Sequence, residues 1–195
     1  MSEAADVSIE HIDSKGKRTV LKQSTPLLKG EVIDSTFMSK KALCNFYDSE
    51  FADAKDTGML MSLHLKATMM KKSDPILFGH AVKSYFKNAF TKHEQTLRKI
   101  NANPNNGLAS VLASINEKLS AEEAAVVIGD FNACYESGPS VAMVNSAKGI
   151  TNLHVPSDVI IDASVPNVVR DSGKMWNKDN ELQDTKVVIP DRCYA

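Results

Sequence analysis

The chain has 195 residues, 43% of them hydrophobic and 24% charged, so it can bury a packed core and is not expected to be disordered. Its 23 basic and 24 acidic residues give a net charge of −1, which argues against a general nucleic-acid binder. Its apolar runs all fall short of the roughly 20 residues that span a bilayer. Its three cysteines are odd in number and far apart, so we expect a cytoplasmic protein without a membrane or nucleic-acid partner.

The first predicted elements form a β-hairpin. Residues 7–12 alternate between apolar and polar side chains, residues 18–21 do the same, and a turn at Gly16 separates them. A short strand is predicted at 30–33, and a helix follows at about 38–54.

The next predicted strand carries the most informative residue. From 58 to 68 the chain alternates with period two, so Met61, Leu63 and Leu65 share one face. Lys66 lies on the other face, near the carboxyl end of this strand. The sequence Ser-Asp-Pro at 73–75 predicts a helix start directly afterwards. Ligands bind at this edge of open α/β sheets, so Lys66 is either a ligand-binding group or a solvated lysine.

The remaining elements alternate between helices and strands. We predict helices at 75–93, 108–115 and 121–135, a short helix that ends at 170, strands at 141–144, 158–162 and 186–190, and a loop at 101–107. Such alternation predicts an α/β fold with a mainly parallel sheet, flanking helices and the N-terminal β-hairpin. We expect residues 1–195 to form a single α/β domain.

Several predicted strands end in polar side chains that could form one site. These residues are Asp34 with Ser35, Lys66, Asn145 with Ser146, and Asp162. An aspartate is a hard oxygen ligand of the kind that Mg²⁺ or Mn²⁺ binds. A lysine beside a divalent cation is shifted toward its neutral form and can then transfer protons. The pattern therefore indicates a sheet edge with a metal ligand and a proton-transfer group.

Structural explanations of the same residues remain open. Lys66 could be solvated on the surface, and Asp162 could cap the helix that follows Ser164. His64 could be a hydrogen-bonded structural histidine, and Asp158 either a supporting group or only the start of a strand. The chain contains no glycine-rich nucleotide motif and no nucleophile elbow.

Four longer stretches carry a specific resemblance. They are Leu-His-Leu-Lys-Ala-Thr-Met-Met-Lys at 63–71 with Ser-Asp-Pro-Ile at 73–76, residues 148–160, residues 172–176 and residues 184–195. Together they resemble the monomeric, bacterial type of NADP-dependent isocitrate dehydrogenase, and the likeness covers nearly the whole chain. Two departures are Ala147, where an acidic residue is expected, and Cys44, where a basic one is expected.

The resemblance implies a role for two residues. Lys66 would be catalytic, contacting isocitrate and taking part in proton transfer, and Asp162 would bind the Mg²⁺ or Mn²⁺ ion. The implied reaction is the oxidative decarboxylation of isocitrate to 2-oxoglutarate and CO₂. It is associated with the tricarboxylic acid cycle and the glyoxylate bypass. The NADP site would lie largely outside this chain.

The same resemblance implies that the chain is an internal fragment of the large domain of a longer, monomeric enzyme. Its partner would then be the rest of the parent polypeptide, and we expect the chain to be inactive by itself. Two alternatives remain: a non-catalytic folded α/β module, and a metal-dependent phosphoryl-transfer domain.

Overall fold

The computed structural model describes residues 1–34, 37–65, 73–154 and 165–190, and it divides the chain into two compact units, Met1–Met38 and Ser39–Ala195. The described strands are β1 (Ala5–Ile12), β2 (Arg18–Leu27), β3 (Leu60–Leu63), β4 (Met143–Asn145), β5 (Ile150–Thr151), β6 (Lys174–Trp176) and β7 (Leu182–Val188). The described α-helices are α1 (Lys40–Asp56), α2 (Ser73–Tyr85), α3 (Lys87–Lys92), α4 (Glu94–Lys99), α5 (Gly107–Lys118), α6 (Ala121–Ser137) and α7 (Val165–Arg170). In these ranges no helix is long and apolar enough to cross a membrane.

The first unit contains the predicted hairpin. Strands β1 and β2 pair antiparallel, and the Asp13 carboxylate accepts hydrogen bonds from the N–H groups of Lys15 and Lys17 in the turn. The strand predicted at 30–33 is wrong, because the structure describes these residues as a turn and irregular chain, and Val32 is 90% exposed.

The helices of the second unit begin where the sequence predicts. Ser39 caps α1, and Ser120 with Glu123 forms a capping box at the start of α6. The helix predicted at 75–93 starts at Ser73 as expected, but it continues to Lys99 as three consecutive helices. The breaks lie at Phe86 and His93, whose backbone angles depart from helical values while their N–H groups still donate to residues four positions earlier.

Aromatic rings fill the core between these helices. Phe86 is fully buried and packs edge-on against Tyr85 and Tyr135, with ring centroids 4.8 and 5.1 Å apart. Phe131 of α6 lies against the same ring at 5.4 Å. This aromatic cluster joins α2 to α6.

The larger of the two described sheets in the second unit has the order β3-β7-β6, and the smaller one pairs β4 with β5. β3 pairs parallel with β7, and Met61 makes a parallel bridge to Val141 on its other side. The pairs β1–β2, β4–β5 and β6–β7 are antiparallel, so the mixed α/β fold is confirmed but a mainly parallel sheet is not. The difference arises because β6 and β7 form a local hairpin that the sequence pattern did not indicate.

The predicted strands fit the described ones in part. β7 begins at Leu182 rather than at 186, and residues 143–145 form β4. The strand predicted at 158–162 lies outside the described residues, as does the end of the strand predicted at 58–68. α7 confirms the short helix predicted to end at Arg170.

Candidate functional site

The two residues that the sequence singles out, Lys66 and Asp162, both lie outside the described residues, as does Asp158. The structure does describe the residues on the chain just before them. These are the strand exit, defined here as residues 60–65, and the 151–154 turn, which precedes residues 155–164.

The strand exit is buried on both of its faces. Leu63 and Leu65 are 3% and 7% exposed, and Ser62 and His64 on the opposite face are 0% and 5% exposed. The Nε2 atom of His64 lies 2.8 Å from the Ser62 hydroxyl oxygen. Burial lowers the pKa of His64 to about 4, so this imidazole is neutral at neutral pH. His64 is therefore a hydrogen-bonded buried histidine, one of the explanations that its sequence position left open.

One side-chain amide completes the hydrogen bonding of this strand. On the edge of β3 next to Val141, the Met61 N–H donates to Ser140 O at 2.8 Å. Two residues later the Leu63 N–H donates instead to the side-chain oxygen of Asn152, at 2.6 Å. The Asn152 N–H in turn donates to Ala142 O at 2.8 Å. Asn152 thus supplies the carbonyl that the neighbouring chain no longer offers at Leu63.

A chain of hydroxyl groups fixes the 151–154 turn. The Thr151 N–H donates to Nδ1 of His154 at 3.1 Å, so this nitrogen carries no proton. The Thr151 hydroxyl then donates to the same nitrogen at 2.8 Å, and the Tyr135 hydroxyl donates to Thr151 Oγ1 at 3.1 Å. Burial lowers the pKa of His154, which favours the neutral ring that this arrangement requires.

The first turn of α5 holds the end of the same turn. The N–H groups of Leu108 and Ala109 donate to the carbonyls of Leu153 and His154 at 2.9 and 3.0 Å. The first N–H groups of a helix have no partner within the helix, so these two bonds satisfy donors that the helix itself leaves without an acceptor. The chain therefore enters residues 155–164 from a position fixed by both a helix and a strand.

Other predicted strand ends use their polar groups locally. The Asn145 side chain accepts from the Lys148 N–H at 3.1 Å, and the Ser146 hydroxyl donates to Asn180 at 2.9 Å. Asp34 belongs to the first unit and follows no strand, and Ser35 lies outside the described residues. The polar groups of Asn145 and Ser146 are therefore engaged in hydrogen bonds within the described residues.

The sequence analysis missed a basic cleft of about 950 Å³ beside α2, α3 and α4. Its charged and titratable lining groups are His80, Lys83, Lys87, Glu94 and Arg98. Burial lowers the pKa of His80, and the neighbouring Lys40 and Lys83 lower it further. The spacing of His80 and Lys83 on α2, with Lys87 at the start of α3, could have indicated this positive surface.

The described residues do not form a metal site by themselves. Over 1–34, 37–65, 73–154 and 165–190, no three or more His, Cys, Asp or Glu side chains cluster in a way that could hold a metal ion. Asp162 offers the oxygen donor that Mg²⁺ and Mn²⁺ prefer, but a single carboxylate leaves most of the coordination shell to other groups.

Comparison with known proteins gives a consistent result. Residues 1–195 match the family model of monomeric isocitrate dehydrogenase. The chain is 54% identical over 189 residues to "Isocitrate dehydrogenase [NADP]" of Azotobacter vinelandii, an alignment that covers 97% of this chain and 25% of that protein. It is 53% identical over 195 residues to the protein of the same name in Corynebacterium efficiens, covering 100% of this chain and 26% of that protein.

"Isocitrate dehydrogenase [NADP] 2" of Mycobacterium tuberculosis is 48% identical to the chain over 195 residues. The chain spans about a quarter of the length of these relatives, 25% or 26% in each case. Identity near one half along nearly every residue, together with the full-length family match, leads to one conclusion: this chain belongs to the monomeric isocitrate dehydrogenase family.

Proposed function

We propose that the chain is a segment of a larger NADP-dependent isocitrate dehydrogenase, referred to below as the complete enzyme. The observation that carries the proposal is the match of residues 1–195 to the family, with relatives named for isocitrate and NADP at about 50% identity. The reaction is the oxidative decarboxylation of isocitrate to 2-oxoglutarate in the tricarboxylic acid cycle, carried out in the cytoplasm.

Lys66 is the proton-transfer residue of this proposal. It follows the strand exit by one position, and that strand is buried and hydrogen-bonded on both edges through Asn152 and Val188. A rigid support of this kind suits a group that must lie within hydrogen-bond reach of its proton. The neutral His64 nearby adds no second positive charge that would oppose binding of a cation.

Asp162 contributes one carboxylate to the divalent metal. A bound Mg²⁺ or Mn²⁺ would polarise the reacting oxygen of isocitrate as a Lewis acid. The remaining metal ligands, the substrate-carboxylate contacts and the NADP site belong to the rest of the complete enzyme. The chain by itself therefore has half a site, and we expect it to be inactive.

The test compares Lys66→Met with Lys99→Met in the complete enzyme. Methionine keeps the apolar stem and removes the amine, and Lys99 is an exposed lysine on α4. With isocitrate, NADP⁺ and Mn²⁺ we expect Lys66→Met to lose roughly 10²–10⁴ in kcat, the range of a positioned acid or base. The control should keep its kcat, and both variants should keep the wild-type thermal midpoint.

Two results would contradict separate parts of the proposal. A wild-type complete enzyme that does not form NADPH from isocitrate would refute the overall function. Near-normal kcat in Lys66→Met would leave the enzyme identity intact but remove the catalytic role of Lys66. NADP⁺ reduction by the 195-residue chain alone would refute its expected inactivity.

A further inference from the structure

Asn152 joins two parts of the chain that are far apart in sequence. Its side chain bonds to the backbone of Leu63, 89 residues earlier. Lys66 follows Leu63 by three positions, and Asp162 follows Asn152 by ten. The bond therefore links the two chain segments that carry the residues of the proposed reaction.

The position of Asn152 in the sheet explains why a side chain is needed there. On the edge next to Val141, Met61 makes both of its backbone hydrogen bonds with the neighbouring chain: Ser140 O accepts from its N–H and Ala142 N–H donates to its carbonyl. Beyond Ala142 the neighbouring chain turns away to pair β4 with β5. The Leu63 N–H would then lack a partner in a buried strand, at a cost of about 1–3 kcal/mol. The Asn152 oxygen takes the place of the missing backbone carbonyl.

Asn152 is itself held rigidly. Its own N–H donates to Ala142 O at 2.8 Å. The neighbouring residues Thr151 and His154 are fixed by the hydroxyl chain from Tyr135, and Leu153 by the first turn of α5. Because the backbone of Asn152 is held in place, its side chain also fixes the position of the Leu63 N–H that it binds.

We propose that Asn152 is a positioning residue of the enzyme, which fixes the strand exit relative to the 151–154 turn so that Lys66 and Asp162 act on one substrate. The inference rests on the proposed function, since it assigns Asn152 a task in that reaction. Misplacement of a catalytic group by about 1 Å can reduce turnover about 10²-fold. Asn152 would thus act through geometry without touching the substrate.

The experiment uses three variants of the complete enzyme. Asn152→Leu keeps a similar volume and removes the acceptor, whereas Asn152→Asp keeps an acceptor oxygen at the same reach. Asn177→Leu is the matched control, because the Asn177 side-chain oxygen also accepts backbone N–H groups, at 3.0 and 2.9 Å, but within the local β6–β7 turn. Both leucine variants lose hydrogen bonds from the backbone to the asparagine side chain. Only Asn152→Leu loses the long-range bond to Leu63.

The readouts are kcat, the KM for NADP⁺, Mn²⁺ affinity measured by electron paramagnetic resonance, and hydrogen exchange of a peptide covering residues 60–65. For Asn152→Leu we expect a kcat at least about 10-fold lower with the KM for NADP⁺ within about 3-fold of wild type. Mn²⁺ affinity should weaken about 10-fold, and exchange at Leu63 should accelerate. Asn152→Asp should stay within about 3-fold of wild type in each readout, and so should Asn177→Leu.

The outcomes separate the two proposals. An inactive wild-type enzyme refutes the proposed function, and Leu63 exchange and Mn²⁺ affinity then still report on the Asn152 link. Unchanged kcat, Mn²⁺ affinity and exchange in Asn152→Leu refute the positioning role, and so does a loss in Asn152→Asp as large as in Asn152→Leu. An equal kcat loss in Asn177→Leu would also refute it, because general loss of stability would explain the effect. If Asn152→Leu does not fold, Asn152→Ala, which admits water to the Leu63 N–H, takes its place in the same comparison.

Discussion

Two helical glycines allow a direct test of how closely the chain at Asn105 packs against α2. Gly79 is buried in α2, and a methyl group there would overlap the Asn105 side-chain oxygen and lie 3.0 Å from the Asn105 backbone nitrogen. Gly129 is exposed in α6, and a methyl group there would meet nothing within 4 Å. Gly79→Ala and Gly129→Ala therefore make the same chemical change in opposite surroundings.

The expected magnitudes follow from two terms. Replacing glycine by alanine within a helix favours folding by about 1 kcal/mol, and this gain applies to both variants. Overpacking costs about 1–3 kcal/mol and applies only at Gly79. We therefore expect Gly129→Ala to raise the free energy of unfolding, and Gly79→Ala to lie about 1–3 kcal/mol below Gly129→Ala. For a chain of this length that difference corresponds to about 2–12 °C in thermal midpoint.

The assay is urea denaturation of the 195-residue chain followed by helical circular dichroism. The double variant Gly79→Ala with Asn105→Ala should recover part of the loss, since it removes the overlapping side chain but not the close backbone nitrogen. Equal stabilisation by Gly79→Ala and Gly129→Ala would refute the close approach of the loop at Asn105 to α2.

Two further predictions use the same denaturation assay. Ser120→Ala removes the cap of α6 and should cost about 1 kcal/mol, whereas Ser114→Ala, within α5, should be neutral or slightly stabilising; equal effects would contradict the capping role. The folded-state pKa of His64 is about 4 against 6.5 unfolded, so its contribution to stability is complete above pH 6.5 and falls as the pH drops to 4. His64→Gln should remove about 3 kcal/mol of that pH dependence, and an unchanged dependence would contradict the burial of a neutral imidazole.

The local elements of this chain follow from its sequence because their causes are local. Apolar periodicity and capping residues predict α1, α5, α6 and the start of α2. The hairpin is set by alternating residues around a turn. The apolar pair Val32 and Ile33 was misread as a strand, because a strand also needs a neighbour with which to pair, and no local pattern states whether one is present.

The prediction of a mainly parallel sheet was not confirmed, for a related reason. A parallel arrangement was inferred from the alternation of helices and strands, and it holds around β3. The hairpin of β6 and β7 reverses the chain over a few polar residues from Asn177 to Glu181, a turn closed by the Asn177 side chain. The residues that lead into this hairpin are polar or glycine and do not predict a strand. The sequence therefore did not indicate an antiparallel edge.

The candidate site shows the same division between local and distant causes. The sequence singled out Lys66 and Asp162 through motifs, and those assignments stay proposals. It did not single out Asn152, because an asparagine between Thr151 and Leu153 has no property that points to a strand 89 residues earlier. Only the fold brings the unmatched Leu63 N–H to that amide. Residues that carry chemistry can be recognised by type and motif, but residues that position them are defined by an unsatisfied partner elsewhere in the chain. This is why the test of Asn152 compares loss of an acceptor oxygen with its retention.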